Sequence, residues 1–225
     1  MALNRWVVIP AYNESDVISG LITSIVRQGF KVAVIDDGST DATVVKAEDA
    51  RATVVRHPMN LGQGAAIQTG IRFALALGAQ YILTFDGDGQ HSADDLPAML
   101  EPLASGHADF TLGSRTLGSA VNLPLARKVI LDAATLFSRL STGRPLTDTH
   151  NGIKGMTRRG AGFINLRHNR MAHASEILGQ IVRSGLHFVE VPVTVQYSSY
   201  SLQKGQKSIG AVRILAELAA GSVRR

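Results

Sequence analysis

Hydrophobic, β-branched runs alternate with stretches of helical periodicity along the first half of the chain. The runs predict strands at 5–10, 31–37, 52–57, 80–86 and 109–115, and the stretches between them predict helices at about 15–28, 41–50, 63–77 and 94–105. Strands separated by helices of this length are typical of βαβ units, and strands that are apolar throughout are covered on both faces. The pattern predicts an α/β fold with a mainly parallel central sheet and helices on both faces.

The second half of the chain is less regular. It predicts helices at 124–141, 172–184 and 209–219, a strand at 187–197, and a flexible loop at 197–208, where Ser, Lys and Gly predominate. Neither an internal repeat nor a linker that would separate two units interrupts the 225 residues. We therefore expect a single domain over residues 1–225.

A polar cluster follows each of the first four predicted strands. These clusters are PAYNES after the first strand, DDGSTD at the end of the second, HPMNLGQG after the third and DGDGQH at the end of the fourth. In an open parallel sheet, ligands bind beyond the carboxyl ends of the strands. We expect the four clusters to converge on one site.

Composition narrows the chemistry of that site. The chain has 45% hydrophobic and 18% charged residues, as in ordinary globular proteins, and it has no cysteine. Disulfides, thiolate nucleophiles and zinc-thiolate sites are therefore excluded, and any metal must be held by oxygen or imidazole.

Charge is distributed unevenly between the two halves. Residues 1–112 carry 7 Lys/Arg against 13 Asp/Glu, whereas residues 113–225 carry 16 against 5. Aromatic residues make up only 5% of the chain, and no nucleic-acid-binding module is recognisable, so a nucleic-acid partner is not expected. The basic half favours phosphorylated small molecules or anionic lipid, with solvated surface charge as the alternative.

The termini bear on where the protein acts. The apolar run near the N-terminus is too short for a signal-peptide core, and no stretch reaches the length of a spanning helix, so we expect a cytoplasmic protein. Residues 209–225 have a helical pattern and end in Arg224 and Arg225. Core packing and a helix at the membrane surface both remain open for this segment.

The DGDGQH cluster carries the clearest candidate chemistry. Asp86 and Asp88 lie two apart at a strand end, so an extended backbone points both carboxylates to one side, with Gln90 two further on. Hard oxygen ligands of this kind suit Mg²⁺ or Mn²⁺. Gly87 removes the side chain between them, which would let a ribose or sugar approach the backbone. A polar turn that merely ends the strand is the alternative.

Two further clusters allow more than one interpretation. In DDGSTD, Ser39 or Asp41 suits a helix N-cap, whereas Asp37 would face the crevice, where a carboxylate could accept from the N–H of a base. The stretch GQGAAIQTG (62–70) is a weak dinucleotide fingerprint, because it follows the third strand rather than the first. A glycine-rich helix start, where small residues permit close packing, is the favoured interpretation.

Taken together, these motifs resemble the family 2 inverting glycosyltransferases with the A-type fold, especially the dolichyl-phosphate mannose synthase-like branch. The resemblance covers most of the chain, in order and spacing, through VVIPAYNES, VIDDGSTDAT, NLGQGAAIQTG, TFDGDGQH, LGSR, DTHNGIKGM and EVPVTVQY. It implies a Rossmann-like nucleotide-binding half at 1–115, an acceptor half at 116–225, and transfer of a sugar from a GDP- or UDP-hexose with Mg²⁺ or Mn²⁺.

The resemblance also implies roles for individual residues. It assigns the first nucleotide-contacting loop to Pro10, Tyr12, Asn13 and Glu14, recognition of the base to Asp37, and the position under the ribose and sugar to Asp86 and Gly87. It further assigns the metal to Asp88 and Gln90, the phosphates or acceptor to Arg115, and the donor diphosphate to Lys204 and Lys207 in the 197–208 loop. Gln63 stands where the family often has lysine, so no phosphate-binding lysine is expected there. The alternative for Lys204 and Lys207 is that they are solvated surface charges and do not contact the diphosphate.

The acceptor decides whether a general base is needed. A sugar hydroxyl must lose its proton, and Asp148 or Glu176 are candidates for that base. A lipid phosphate is already largely anionic at pH 7 and needs positive charge instead. The basic residues of the second half meet that need: Arg115, Arg127, Lys128, Arg139, Arg144, Lys154, Arg158 and Arg159.

We therefore predict a polyprenyl (dolichyl or undecaprenyl) phosphate acceptor, peripheral membrane association, and action at the inner face of the membrane. Transfer to a sugar hydroxyl in cell-surface glycan assembly and a non-catalytic nucleotide-sugar-binding protein are the alternatives. His150, His173 and Glu176 suggest a second metal site, but their spacing fits no known metal motif, so satisfied polar residues at a cleft edge are favoured.

Overall fold

A computed structural model describes residues 4–149, 151–170 and 172–197 of the chain. Its strands are β1 (Arg5–Ala11), β2 (Lys31–Asp36), β3 (Thr53–Arg56), β4 (Tyr81–Thr84), β5 (Phe110–Val121), β6 (Lys154–Thr157) and β7 (Phe188–Gln196). Its helices are α1 (Ile18–Arg27), α2 (Thr43–Asp49), α3 (Gln63–Ala76), α4 (Leu96–Ala104), α5 (Leu125–Thr142), α6 (Arg158–Ala161) and α7 (His173–Arg183), and a 3₁₀ turn at Ala93–Asp95 precedes α4.

The seven strands form one sheet in the order β3-β2-β1-β4-β6-β5-β7. Strands β1 to β4 pair in parallel, and β5 pairs in parallel with β7. Only β6 runs antiparallel to both of its neighbours, β4 and β5. The sheet is therefore mixed but mainly parallel, as the sequence predicts.

Both faces of the sheet are covered, which explains why β1 is buried and apolar from Trp6 to Ala11. In β1, Val7 and Ile9 pack with α1 and α4, whereas Trp6 and Val8 pack on the other face with α3 and α7. Because successive side chains of a strand point to opposite faces, a strand covered by helices on both faces reads as a continuous apolar run.

Strands β5 and β6 differ most from the prediction. The strand predicted at 109–115 continues to Val121, through polar residues that pair with β7 across a shift of register between Ser114 and Ser119. Strand β6 (KGMT) is not predicted at all, since it is four residues long and begins with a lysine and a glycine. Pairing with strands from distant parts of the chain, and not local hydrophobicity, makes this segment a strand.

The predicted helices occur with small shifts of their ends. Helix α1 begins at Ile18 rather than at residue 15, because residues 11–17 form the loop after β1. Ahead of α2, Asp41 accepts a hydrogen bond from the Thr43 N–H at 2.9 Å, whereas the Ser39 hydroxyl accepts from Asn13. The cap-like role therefore belongs to Asp41. The helix predicted at 209–219 lies outside the described residues, and among the helices described no segment has the length and hydropathy needed to cross a membrane.

Candidate active site

The loops after β1 and β2 are joined to each other by side chains. The Asn13 N–H donates to the Ser39 hydroxyl at 2.9 Å, and the Asn13 side-chain oxygen accepts from the Thr40 N–H at 2.9 Å. The Glu14 N–H donates to the Thr43 hydroxyl at 2.8 Å. Asn13 has a φ of 55°, a left-handed conformation that asparagine tolerates better than most residues. The first two polar clusters therefore form one surface.

Asp37 connects the second cluster to the third. Its carboxylate accepts from the N–H groups of Leu61 and Gly62, at 2.9 and 2.7 Å, and lies 2.8 Å from Nδ1 of His57. The other ring nitrogen of His57 lies 3.0 Å from the Thr69 hydroxyl. The Asp37 side chain is only 5% exposed. The carboxylate therefore shapes the loop that leads into α3, and its proposed contact with a base stays a prediction.

Asp86 is the point where the third and fourth clusters meet. Its Oδ1 accepts from the Gln63 side-chain amide at 2.9 Å, and its Oδ2 lies 3.6 Å from Nε2 of His91. On another side the carboxylate lies directly against the backbone of Gly152, where an added β-carbon would overlap it. Partial burial would raise the pKa of Asp86, but the His91 ring and the positive charge of Lys154 hold it below its ordinary value. The expected convergence of the four clusters is confirmed.

Lys154 is the buried cation of this region. Its Nζ donates to the Asn151 carbonyl, and its backbone N–H donates to the Thr84 hydroxyl at 3.2 Å. Burial lowers its pKa, and the negative charges of Asp86 and Asp148 oppose that shift. Strand β6 therefore brings a positive charge from the second half of the chain to the end of β4.

Asp88 and Gln90 are hydrogen-bonded to each other. The Gln90 N–H donates to Asp88 Oδ1 at 3.0 Å, and the Gln90 side-chain amide donates to Oδ2 at 2.6 Å. Burial raises the pKa of Asp88 to about 6, and the negative charges of Asp86 and Glu14 add to this effect. Asp88 thus lies close enough to Asp86 and Glu14 to be repelled by them, and a cation bound at Asp88 would relieve that repulsion.

The donor set fits Mg²⁺ or Mn²⁺ only in part. Asp88 supplies carboxylate oxygens, and a half-turn of the Gln90 amide would present its oxygen beside them. Across the residues that the structure describes, no three His, Asp or Glu side chains are grouped so as to hold a metal. Mg²⁺ is commonly bound through one or two carboxylates together with substrate phosphates, so the two residues suit a cation shared with a diphosphate.

Gly87 is required by the first strand. A β-carbon at this position would lie 2.9 Å from the Pro10 carbonyl oxygen, which is too close for an unstrained contact. Pro10 itself is buried within β1, whereas Tyr12 is 45% exposed in the loop that follows. The DGD turn therefore packs tightly against the carboxyl end of β1.

Arg115 and Asp148 form a largely buried ion pair in the second half. The Arg115 Nε donates to Asp148 Oδ2 at 2.6 Å, its backbone N–H donates to the same oxygen at 3.0 Å, and its Nη1 donates to the Tyr197 hydroxyl at 2.5 Å. Although burial would lower it, the neighbouring charge of Asp148 raises the pKa of Arg115, so the guanidinium stays charged. The two residues come from β5 and from the loop before β6.

Glu190 on β7 fixes the loop that carries Asp148. Its carboxylate accepts from the Thr147 N–H at 2.8 Å, the Thr147 hydroxyl at 2.9 Å and the Asp148 N–H at 3.1 Å. The Thr147 hydroxyl also lies 2.7 Å from the hydroxyl of Ser114, which precedes Arg115 in β5. The position of the Arg115 guanidinium therefore depends on β5, on β7 and on the loop before β6.

Glu176 has a similar role for the segment that precedes α7. Its carboxylate accepts from the N–H groups of Arg167 and His168 at 2.9 to 3.0 Å. This holds a segment whose Asn169 carbonyl accepts from the Gly64 N–H, at the start of α3, at 2.8 Å. Gly62 and Gly64 pack directly on that segment, as expected of a glycine-rich helix start rather than a dinucleotide fingerprint.

The second metal site suggested by the sequence finds no support among the described residues. His173 is buried, its Nδ1 lies 2.9 Å from the Arg170 carbonyl, and burial lowers its pKa. Glu176 is occupied by backbone donors. Both residues are satisfied polar groups, as favoured from the sequence, and His150 lies outside the described residues.

Several residues that surround the site are not among the predicted site residues. Gln63, His91 and Gly152 surround Asp86, and Tyr197 and Glu190 hold the Arg115–Asp148 pair. Tyr197 and Glu190 both lie in the EVPVTVQY motif and Gly152 in DTHNGIKGM, which is the only signal that points to them. Lys204 and Lys207, the predicted diphosphate contacts, lie outside the described residues.

Comparisons with known proteins identify a family to which the sequence is similar. The sequence model described as Glycosyl transferase family 2 matches residues 6–161. An uncharacterised protein of Methanocaldococcus jannaschii is 32% identical over 218 residues, which are 95% of this chain and 90% of that protein.

Two relatives carry names that state a reaction. The UDP-N-acetylglucosamine–dolichyl-phosphate N-acetylglucosaminyltransferase of Methanococcus voltae is 27% identical, over 95% of this chain and 94% of its own length. The undecaprenyl-phosphate mannosyltransferase of Micrococcus luteus is 31% identical, over 83% of this chain and 81% of its own.

The fold is shared with a solved structure. Glucosyl-3-phosphoglycerate synthase from Mycobacterium tuberculosis, in complex with Mn²⁺ and UDP-glucose, superposes with a TM-score of 0.75 at 20% identity, covering 97% of this chain and 79% of that one. This likeness confirms the predicted A-type fold.

Proposed function

The chain is a glycosyltransferase that belongs to glycosyl transferase family 2, and on this premise we propose that it transfers a hexose from a GDP- or UDP-sugar to a polyprenyl phosphate. The relatives named for transfer to dolichyl phosphate and undecaprenyl phosphate support this acceptor. They differ in the sugar, which leaves the donor to experiment.

The choice of a phosphate acceptor rests on the hydrogen bonds that the two candidate bases already accept. Asp148 is held by the guanidinium and backbone N–H of Arg115, and Glu176 is held by the backbone of residues 167 and 168. A carboxylate in such contacts is a poor proton acceptor for a sugar hydroxyl. An acceptor phosphate needs no base, because it is already anionic at pH 7.

Positive charge is available for such an acceptor. Arg115 stays charged, and the guanidinium of Arg127 lies 5.1 Å from the centre of the Tyr197 ring, beside the Arg115 contact. The Lys154 amine also lies near Asp86, where burial lowers its pKa and the charges of Asp86 and Asp148 oppose that shift. An acceptor phosphate oxygen would attack the anomeric carbon from the side opposite the departing diphosphate, which inverts that centre.

The donor would occupy the carboxyl ends of β1 to β4. We assign the nucleotide to the loop of Pro10, Tyr12, Asn13 and Glu14 and recognition of the base to Asp37. Asp86 and Gly87 lie under the ribose and sugar, with Lys204 and Lys207 as diphosphate contacts.

Asp88 and Gln90 would hold a divalent metal with the donor diphosphate. A fold neighbour whose structure contains Mn²⁺ and UDP-glucose supports a divalent metal with the donor. The cation would stabilise the negative charge that develops on the leaving diphosphate. A lipid acceptor would further place the reaction at a membrane surface, for which we propose the inner face.

A panel of nucleotide sugars tests the proposal. The purified protein is offered GDP- and UDP-hexoses with Mg²⁺ or Mn²⁺, each with and without a polyprenyl phosphate, and radiolabelled lipid product is extracted. We expect product from one donor class only when the lipid phosphate is present. Transfer confined to free glycan hydroxyls would overturn the acceptor assignment, and donor binding without any transfer would favour a non-catalytic protein.

The metal assignment has a separate test. Asp88→Ala is expected to lose on the order of 10²-fold or more in transfer rate, because the diphosphate charge would no longer be balanced. Asp49→Ala, at an exposed position on α2, is the matched control and should retain full activity. Undiminished transfer by Asp88→Ala in excess chelator would show that no metal is held there.

A further inference from the structure

The carboxylate of Asp37 accepts hydrogen bonds from three groups of the protein. Its Oδ1 accepts from the Leu61 N–H at 2.9 Å and lies 2.8 Å from Nδ1 of His57, and its Oδ2 accepts from the Gly62 N–H at 2.7 Å. Because a carboxylate oxygen can only accept, the contact with His57 assigns the hydrogen to Nδ1 of the ring. Among the described residues, these three are the donors that reach the carboxylate.

The three donors are shared unequally between the two oxygens of Asp37. A carboxylate has about four acceptor positions, two on each oxygen. Leu61 and His57 fill both positions on Oδ1, whereas Gly62 fills one position on Oδ2. Asp37 can therefore accept one further hydrogen bond, and only at Oδ2.

The surrounding structure keeps this arrangement fixed. The Asp37 N–H donates to the Ala11 carbonyl at the end of β1, and the His57 N–H donates to the Asp36 carbonyl, both at 2.8 Å. The second ring nitrogen of His57 lies 3.0 Å from the Thr69 hydroxyl, which orients the ring. The side chains of His57 and Asp37 are only 9% and 5% exposed. Neither side chain can therefore turn freely to offer a ligand a different set of acceptors.

The bases of the two candidate donors differ in the number of N–H groups that they present. Guanine presents two parallel donors, the ring N1–H and an exocyclic N2–H, which pair with the two oxygens of one carboxylate. Uracil presents a single donor, N3–H, between two carbonyl groups. A guanine at Asp37 would meet an Oδ1 that is already filled, and one of its N–H groups would lose its water without gaining an acceptor. The single N–H of uracil matches the one position that remains on Oδ2.

We propose that Asp37 binds a uracil base, so that the donor is a UDP-sugar, and that His57 is the residue that determines this specificity. His57 occupies the position on Oδ1 that a guanine would need, and it therefore selects by excluding the competing base. The choice of base rests on the proposed function, because it takes Asp37 as the residue that contacts the base of the donor.

Calorimetric titration of the full chain with UDP and with GDP, each in the presence of Mn²⁺, tests the choice of base. We expect the wild type to bind UDP at least about tenfold more tightly than GDP, since a buried N–H without an acceptor weakens binding by a factor of that size. Binding of GDP as tight as that of UDP would overturn the assignment of uracil and leave the proposed transfer to a polyprenyl phosphate intact. A wild type that binds neither nucleotide would overturn the donor site and the proposed function together.

Substitutions of His57 test its part in the choice. His57→Leu frees the second position on Oδ1, so the ratio of UDP affinity to GDP affinity should fall by about tenfold. His57→Asn carries an amide nitrogen where histidine has Nδ1 and should keep the wild-type ratio. His107→Leu, at an exposed histidine elsewhere, is the matched control and should also keep it.

The ratio of the two affinities separates specificity from a merely structural role. If His57 only supported the loop, His57→Leu would weaken UDP and GDP equally, and an unchanged ratio would overturn its role in selecting the base. The comparison of UDP with GDP in the wild type needs no substitution, so it decides the choice of base even if His57→Leu does not fold.

Discussion

The backbone of Gly152 lies directly against the carboxylate of Asp86. The two residues are 66 positions apart, and the pairing of β4 with β6 brings them together. This contact fixes the position of Asp86, the first aspartate of the DGD turn. Gly152 lies two residues before Lys154, so one segment places both the contact and the lysine.

Gly152→Ala is therefore expected to displace the Asp86 carboxylate. A misplacement of about 1 Å at a reacting centre can cost on the order of 10²-fold in rate, and we expect a loss of transfer of that size. Steady-state transfer assays measure it. Gly20→Ala, at a helical glycine with open space around it, is the control and should be fully active and slightly more stable. Full activity of Gly152→Ala would show that the Asp86 position is not critical.

Asp37→Asn should affect stability and donor binding together. The amide would turn an N–H group towards the donor N–H of Leu61 or Gly62, leaving a buried group unpaired at a cost of about 1–3 kcal/mol. Urea unfolding measures that loss, and the KM for the donor should also rise. Asp49→Asn is the exposed control. A lower stability with an unchanged donor KM would mean that Asp37 only shapes the loop and does not read the base.

Metal affinity should fall as the pH falls through about 6. The pKa of Asp88 is raised to about 6 in the metal-free protein, so below that pH a proton competes with the cation, and affinity should drop by about tenfold per pH unit. Calorimetric titration with Mn²⁺ between pH 5 and pH 8 measures this, together with proton release. Affinity that does not change over this range would contradict the assignment of Asp88.

The Asp88 carboxyl also affects the stability of the metal-free protein, and its contribution falls with rising pH, whereas metal affinity rises. Its folded pKa of about 6 exceeds the ordinary value of 3.8, so between these values the folded protein binds more protons than the unfolded chain. The contribution of Asp88 to stability therefore decreases as the pH rises from about 4 to about 6. Asp88→Asn should remove this component from the pH profile of thermal unfolding.

Glu190→Gln should lower kcat without altering the KM for the donor. Glu190 orients Thr147 and Asp148 and, through them, Arg115, which lie outside the predicted nucleotide-binding loops. We expect a loss of about tenfold in kcat and of about 1–3 kcal/mol in stability from the unmatched Thr147 N–H. Glu101→Gln, on the exposed side of α4, is the control. A changed donor KM with normal kcat would place the effect in the other half of the site.

Much of the nucleotide-binding half could be predicted from the sequence, because local patterns specify it. Strands β1 to β4 are apolar runs bounded by polar turns, and the position of each polar cluster after a strand is a property of the chain order alone. From this it follows that Asp37, Asp86 and Asp88 share one edge of a parallel sheet, as the structure confirms.

The partners of these residues could not be predicted in the same way. Strand β6 has no apolar periodicity, and only its pairing between β4 and β5 places Gly152 and Lys154 beside Asp86. Likewise, Asp148 and Glu176 have the composition of candidate bases, but their hydrogen bonds come from Arg115 and from the backbone of residues 167 and 168.

By itself, then, the sequence determined the succession of strands and helices in the first half, the edge where its polar clusters meet and the family to which the motifs belong. Only the tertiary structure decided which carboxylates are already hydrogen-bonded or ion-paired, which basic side chain lies near Asp86, and which side of α5 is left exposed. The physical reason is range: strand and turn patterns arise from neighbours in the chain, whereas charge pairing and exposure depend on contacts between residues that are far apart in sequence.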